Sequence, residues 1–310
     1  MSGRFAPSPT GDLHLGNLRT ALLAWVDARS HGVDFIVRME DLDRVTSSVE
    51  HEETQLRSLA ALGLDWDGPV VRQSDRFDSY RAAVEELRRR DLVYPCFCTR
   101  REIRIEIESA SRAPNSPLPD GAYPGTCREL AAARVAELEH AGRVPALRLR
   151  GSDELVDFDD GIAGRFVGAV DDVVLVRSDG VPAYNLAVVV DDAAQGVTRV
   201  VRGDDLLTST PRQILLQRLL SLPTPSHLHV PLVLGDDGRR LAKRHGAVTP
   251  SDLERAGWSR TEVLAVLARS LGLAGPSEQP HLEDLVARYD PGRLPRSAVR
   301  WSDLRAFRRG

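Results

Sequence analysis

His14 and Asn17 close the stretch Pro7-Ser8-Pro9-Thr10-Gly11-Asp12-Leu13-His14-Leu15-Gly16-Asn17, a breaker-rich loop that runs into a helical pattern. Three positions are one helical turn, so both polar side chains can point at a single ligand. A loop that opens a helix also offers free backbone N–H groups and the positive end of the helix dipole, which suits nucleotide phosphates. Gly16 lets such a group approach closely. Taken outside this setting, the same residues are an N-cap with a surface histidine.

A second group is the basic loop Arg239-Arg240-Leu241-Ala242-Lys243-Arg244-His245-Gly246. Lys243 is the only lysine among 41 Lys and Arg residues, which leaves 41 − 1 = 40 arginines. An ammonium is a compact, strongly hydrated point charge, whereas guanidinium is a planar fork. The surviving lysine therefore suits a role that arginine cannot fill, such as neutralising charge that grows on phosphates as pyrophosphate leaves. A chance survivor is the alternative. Cys96, Cys98 and Cys127 are an odd and small set for a disulfide framework, and their clustering suggests metal. Three buried free thiols are the bland reading. Arg4 and Arg202 stand at strand ends and Glu40 begins an acidic loop, and each alone reads as a solvated charge.

The elements that must position these residues follow from periodicity. A short apolar start at Gly3 to Ala6 precedes the loop, and Leu15 onward carries Leu18, Ala21, Leu22, Trp25 and Val26 at helical spacing. A strand is predicted over Asp34 to Met39 and amphipathic helices over Val49 to Leu62 and Asp78 to Arg90. From Leu92 to about Val144 the pattern breaks into cysteines, the Pro-rich run Ala113 to Pro119 and a short helix near Glu129 to Ala141, an insertion between two halves of a sheet. Regular structure resumes with Val144 to Arg150, a hairpin of Val173 to Val176 and Val181 to Tyr184, a helix at Asn185 to Val190 and a strand at Val197 to Val201. A helix at Pro211 to Leu220, a strand at His229 to Leu234 and helical segments, clearest at Arg260 to Leu271, complete the chain. Alternating strands and helices predict an α/β fold with a parallel sheet, in four parts: 1–91, 92–144, 145–235 and 236–310.

The 310 residues, 42% hydrophobic and 28% charged, describe a globular chain with room for two domains. No run of about 18 apolar residues and no secretory leader occurs, so a cytoplasmic protein with no membrane span is expected. A net charge of −4 excludes a wholesale nucleic-acid coater and confines any such surface to basic patches. These are the Arg239 to Arg244 loop and the tail bearing Arg293, Arg296, Arg300, Arg305, Arg308 and Arg309.

Five ordered motifs carry a family resemblance. R-F-A-P-S-P-T-G-D-L-H-L-G-N, R-M-E-D-L-D, A-Y-N-L-A-V-V-V-D-D, G-V-T-R-V-V-R-G-D-D-L and L-A-K-R-H-G-A resemble the catalytic core of class I glutamyl-tRNA synthetases. His14 to Asn17 match that class's HIGH signature and Arg240 to Arg244 its KMSKS signature, with Arg240 for a lysine and Ala242 for a serine. The resemblance implies a Rossmann-type core, ATP with Mg2+ bound through His14, Gly16, Asn17 and Lys243, and catalysis by His14, Asn17 and Lys243. It implies L-glutamate bound through Arg4, Phe5, Ala6, Pro7, Ser8, Glu40, Tyr184 and Arg202. Arg4, Tyr184 and Arg202 would hold the side-chain carboxylate, and Glu40 and Ser8 the ammonium.

The segment from Ala247 to Gly310 is short for a helical anticodon-reading region, which needs on the order of 100 residues. In this the chain is most similar to the truncated branch of the family, the glutamyl-Q tRNA(Asp) synthetases. That branch attaches glutamate to queuosine at the wobble position of tRNA(Asp), with no anticodon-binding domain. The likeness also implies one Zn2+ held by Cys96, Cys98, Tyr123 and Cys127. A monomer is expected. The rival readings are a minimal synthetase charging the terminal adenosine, a non-catalytic glutamate- or tRNA-binding paralogue, and a small nucleotidyltransferase.

Overall fold

The predicted alternation is realised in a computed structural model that describes residues 1–109, 122–151, 155–241, 245–246 and 248–307. The first part runs β1 (Ser2–Phe5), α1 (Leu15–Ser30), β2 (Asp34–Met39), α2 (Val49–Ala61), β3 (Val71–Arg72) and α3 (Phe77–Arg89). The middle comprises β4 (Val93–Cys96), α4 (Arg100–Ser109), α5 (Ala132–His140), β5 (Ala146–Leu149), β6 (Leu155–Asp160), β7 (Gly164–Ala169) and β8 (Val174–Val176). Then follow α6 (Tyr184–Ala194), β9 (Val197–Gly203), α7 (Thr210–Leu219), β10 (Ser226–Val230) and β11 (Val233–Leu234). The last part is α8 (Pro250–Arg255), α9 (Arg260–Ser270), α10 (Leu282–Ala287), β12 (Val299–Arg300) and α11 (Trp301–Phe307).

Seven strands form the main sheet in the order β3-β2-β1-β9-β10-β6-β7. All neighbours are parallel except β6 and β7. β1 lies between β2, its successor along the chain, and β9, which arrives much later, with Arg4 level with Ile36 and Val200. Strand order reverses there, and the crevice beyond the carboxyl ends at such a switch point is where open α/β sheets bind ligands.

Strand alternation gives the sheet two different faces. Phe5, Phe35, Val37, Met39, Val201, Leu228 and Val230 join the core built around α1 and the C-terminal helices. Arg4, Arg38, Arg202, His227 and His229 alternate with them and are nonetheless buried. α1 is apolar nearly all round because it packs on both β1 and β9 and on α9 and α10. Burying a side chain such as Leu18 or Leu22 there contributes about 1.5–3 kcal/mol.

Several expectations are corrected. The antiparallel hairpin β6–β7 was not predicted, although Val156 and Phe158 alternate with acids along β6. The second arm of the expected hairpin at Val181 to Tyr184 is a single bridge, Pro182 to Val176, and Tyr184 already begins α6. The strand expected over His229 to Leu234 is two, β10 and β11, because Pro231 has no N–H to give a ladder. β12, within the expected helical tail, pairs in parallel with β11, Val299 opposite Val233. Strands β4, β5 and β8 form a separate antiparallel sheet.

Candidate active site

A cleft of about 540 Å³ opens where β1 and β9 end side by side. Arg4, Phe5, Ala6, Pro7, Ser8, His14, Gly16, Asn17, Glu40, Tyr184 and Arg202 all line it. Gln55 of α2, which sequence reading missed, shapes the loop after β1: its Nε2 donates to the carbonyls of Ser8 (3.0 Å) and Gly11 (2.6 Å). The Pro7 carbonyl accepts from the Glu40 N–H at 2.9 Å, so the loop and the end of β2 are fixed to each other.

His14 and Asn17 cap α1 reciprocally. His14 Nδ1 accepts from the Asn17 N–H at 3.2 Å, and Asn17 Oδ1 accepts from the His14 N–H at 3.1 Å. The cap leaves His14 Nε2 and Asn17 Nδ2 unused, so capping does not compete with a ligand for those atoms. Burial, with help from the Arg240 charge, pushes the His14 pKa down to about 4. The ring is neutral near pH 7, and with Nδ1 accepting, Nε2 carries the proton and can donate. A Cβ on Gly16 would lie 2.9 Å from His14 Cε1, so the space that Gly16 leaves is taken by this ring as well as by the cleft.

The charged face of the sheet is anchored by α6. Asp192 accepts from Arg4 Nε (3.3 Å) and Nη2 (3.4 Å) and from Arg38 Nη1 (2.7 Å). Burial disfavours its charge, but Arg4 and Arg38 outweigh that and hold the carboxyl below its ordinary value. Arg38 Nη2 reaches Glu40 Oε1 at 3.4 Å, and burial nevertheless pushes the Glu40 carboxyl up against the pull of Arg38 and Arg4. Asp191 takes Arg76 Nε (2.6 Å), Gln73 Nε2 (2.9 Å) and the Tyr80 hydroxyl (2.8 Å). The signal available in the sequence was the acidic pair ending V-V-V-D-D, since a carboxylate within an apolar helical run must be paired.

Arg202 is held differently. Its Nε donates to His229 Nε2 (3.0 Å), Nη1 to Gln213 Oε1 (2.8 Å) and Nη2 to Thr210 Oγ1 (2.7 Å), with the Tyr184 hydroxyl 3.5 Å from Nη1. These partners are all neutral. Among the described residues no carboxylate is hydrogen-bonded to this buried guanidinium, so direct pairing does not cancel its charge.

Beyond β11 the chain turns through Gly235 and Gly238, whose φ is +76°, a conformation that favours glycine. Arg240 then pairs with Asp205 at 2.6 Å on the cleft wall. Lys243, with Ala242 and Arg244, lies outside the described residues, as do Arg308 and Arg309. In the tail, Arg305 pairs with Asp236 at 3.3 Å.

The cysteines converge away from the cleft. The Cys96, Cys98 and Cys127 sulfurs lie within 4.8 Å of one another. Tyr123 Oη is 3.3 Å from Cys96 Sγ and 3.5 Å from Cys98 Sγ, and accepts from the Cys127 N–H at 2.9 Å. Burial pushes the Cys98 thiol up to about 12, so metal binding there must release its proton. Three sulfurs and one oxygen at this spacing suit a tetrahedral Zn2+ shell, and the Arg148 guanidinium 3.7 Å over the Tyr123 ring offsets the negative charge of such a donor set.

Fold and site together define a Rossmann-type α/β protein with an arginine-lined cleft at the switch point of its parallel sheet. Residues 1–290 match the family described as tRNA synthetases class I (E and Q), catalytic domain. A Glutamyl-Q tRNA(Asp) synthetase of Nocardia farcinica is 60% identical over 95% of this chain and 91% of its own. That of Symbiobacterium thermophilum is 49% identical over 97% and 95%. A glutamate tRNA ligase from Elizabethkingia meningosepticum, solved in complex with its amino acid, superposes with a TM-score of 0.84 at 28% identity, over 99% of this chain and 68% of that one. The chain belongs to the class I tRNA synthetases for E and Q, and within them to the glutamyl-Q tRNA(Asp) synthetases.

Proposed function

We propose that the chain activates L-glutamate with ATP and Mg2+ to glutamyl adenylate and transfers the glutamyl group to the queuosine base at the wobble position of tRNA(Asp). The observation that carries this reading is the single cleft in which Arg202, unopposed by a carboxylate partner among the described residues, faces Arg4, Glu40 and Tyr184 beside His14 and Asn17. The names of the relatives supply the acceptor.

Arg4, Tyr184 and Arg202 bind the glutamate side-chain carboxylate, and glutamine, which lacks the charge, leaves the Arg202 guanidinium without a counter-charge. Glu40 and Ser8 take the α-ammonium. The α-carboxylate then attacks the α-phosphorus of ATP, and the bond to pyrophosphate breaks. His14 Nε2–H, Asn17 Nδ2 and the N-terminus of α1 donate to the phosphates as charge develops, with Lys243 supplying a point charge. A hydroxyl of the queuosine base displaces AMP from the carbonyl carbon, forming the ester.

Cys96, Cys98, Cys127 and Tyr123 would hold one Zn2+, which supplies a crosslink between the end of β4 and the segment beginning at Ala122. In this reading 1–91 and 145–235 are the two halves of the catalytic unit, 92–144 the zinc-bearing insertion and 236–310 the signature loop and tail. Pyrophosphate exchange into ATP tests the activation step. It should require glutamate, proceed without tRNA, and be much weaker with glutamine or aspartate; exchange driven equally by glutamine would remove the assigned role of Arg202.

A further inference from the structure

The acceptors around Arg202 are themselves held from behind. His229 Nδ1 lies 2.6 Å from Asp160 Oδ2. Asp160 is fixed in turn, its Oδ1 accepting from the Ile162 (2.9 Å) and Ala163 (2.8 Å) N–H groups. The His229 N–H meets Oδ1 at 3.2 Å and Oδ2 at 3.1 Å. Asp160 and His229 are 4% and 1% exposed, so the pair is shielded from bulk solvent. A carboxylate only accepts, so the imidazole proton sits on Nδ1 and the lone pair on Nε2 faces the Arg202 Nε–H at 3.0 Å, with the Thr210 hydroxyl 3.1 Å from the same nitrogen. Gln213 is set in the same way: its Nε2 donates to Asn185 Oδ1 at 3.1 Å, which leaves Oε1 for Arg202.

We infer that Asp160 and His229 are positioning residues for glutamate recognition, Asp160 selecting the imidazole tautomer that aims the Arg202 guanidinium while leaving its charge uncancelled. The contrast is Arg4, whose charge is met directly by Asp192. A carboxylate in the place of His229 would orient Arg202 equally well, but it would neutralise the guanidinium and repel the substrate's side chain. The imidazole keeps Asp160 one ring away. Burial lowers the His229 pKa even though Asp160 opposes the shift, and it lowers that of His227, stacked 5.9 Å away, so neither ring adds a cation beside Arg202.

The inference rests on reading Arg202 as the partner of the glutamate side-chain carboxylate. Its test is Asp160→Asn in the full-length protein, a change of one atom. The amide oxygen can still accept from Ile162 and Ala163, while the amide nitrogen donates to His229 Nδ1 and sends the ring proton to Nε2, where two N–H groups then oppose each other. In pyrophosphate exchange the KM for glutamate should rise about tenfold or more, as expected for losing a hydrogen bond to a charged group. The KM for ATP should hold, kcat should stay within about threefold, and the preference for glutamate over glutamine should fall. Histidine-selective 15N NMR should show the proton moving from Nδ1 to Nε2.

His229→Gln, which can present a carbonyl oxygen to Arg202, should recover part of the glutamate affinity that His229→Leu loses, and this pair carries the test if Asp160→Asn does not fold. A tautomer change with no rise in KM for glutamate, or equal KM values for the Gln and Leu variants, overturns the inference. Wild-type protein that activates no glutamate defeats the reading of the cleft and this inference with it, a result distinct from failure of the variants alone.

Discussion

At the scale of single residues, His14 and Asn17 each have one face committed to the fold and another left for a ligand. His14 caps α1 through Nδ1 and presents Nε2, and Asn17 does the same with its two amide atoms. Lys243 is assigned on its residue type alone, and Lys243→Arg isolates that argument, since it keeps the charge and removes the compact ammonium. Glutamate activation should fall about tenfold or more in kcat, with the KM for glutamate nearly unchanged. Steady-state exchange kinetics check this, and wild-type kcat in the variant would remove the case for the lone lysine. That Arg4, Glu40, Tyr184 and Arg202 come together in one cleft was legible because each sits in a contiguous motif. Asp160 and His229 were not, because they are 69 residues apart and only the adjacency of β6 and β10 joins them.

At the scale of elements, the described residues from Leu92 to Val144 have two sets of anchors. One is the cysteine cluster. The other is polar: the Tyr123 N–H and Arg212 of α7 share Asp171 (3.1 and 2.6 Å), and Arg128 and Tyr94 share Asp172 (3.0 and 2.6 Å). On the proposed zinc assignment, Cys98→Ser lowers zinc from about one per chain to near zero by elemental analysis while the main sheet stays folded. Amide exchange should quicken in residues 122–130 and not in β1 or β9; unchanged metal content would refute the ligand assignment. The sequence pattern identified the cysteines, but not the sheet of β4, β5 and β8, because these short strands pair across a long separation. It also missed the β6–β7 hairpin, whose apolar residues are few and whose outer face carries exposed Leu155 and Val167.

At the scale of the whole molecule, buried histidines and carboxylates set the response to pH. His14 and His227 titrate near 4 and 3 in the fold, against 6.5 when unfolded, so below about pH 6.5 the unfolded chain binds protons that the native one does not. Stability must fall as pH drops through that window. Asp192 and Asp160, despite burial, are held below their ordinary values by their cationic and hydrogen-bonding partners, and their contribution is lost at still lower pH. Calorimetric Tm should decline progressively from pH 6.5 to 4; a flat profile would show that these histidines are not buried as neutral groups. The measurement that tests the central claim most directly is transfer of labelled glutamate, with ATP and Mg2+, to queuosine-containing tRNA(Asp) whose terminal adenosine has been removed, beside intact tRNA(Glu). Label on the trimmed tRNA(Asp) is the predicted result, and label on intact tRNA(Glu) alone would contradict the account and make this chain a minimal synthetase.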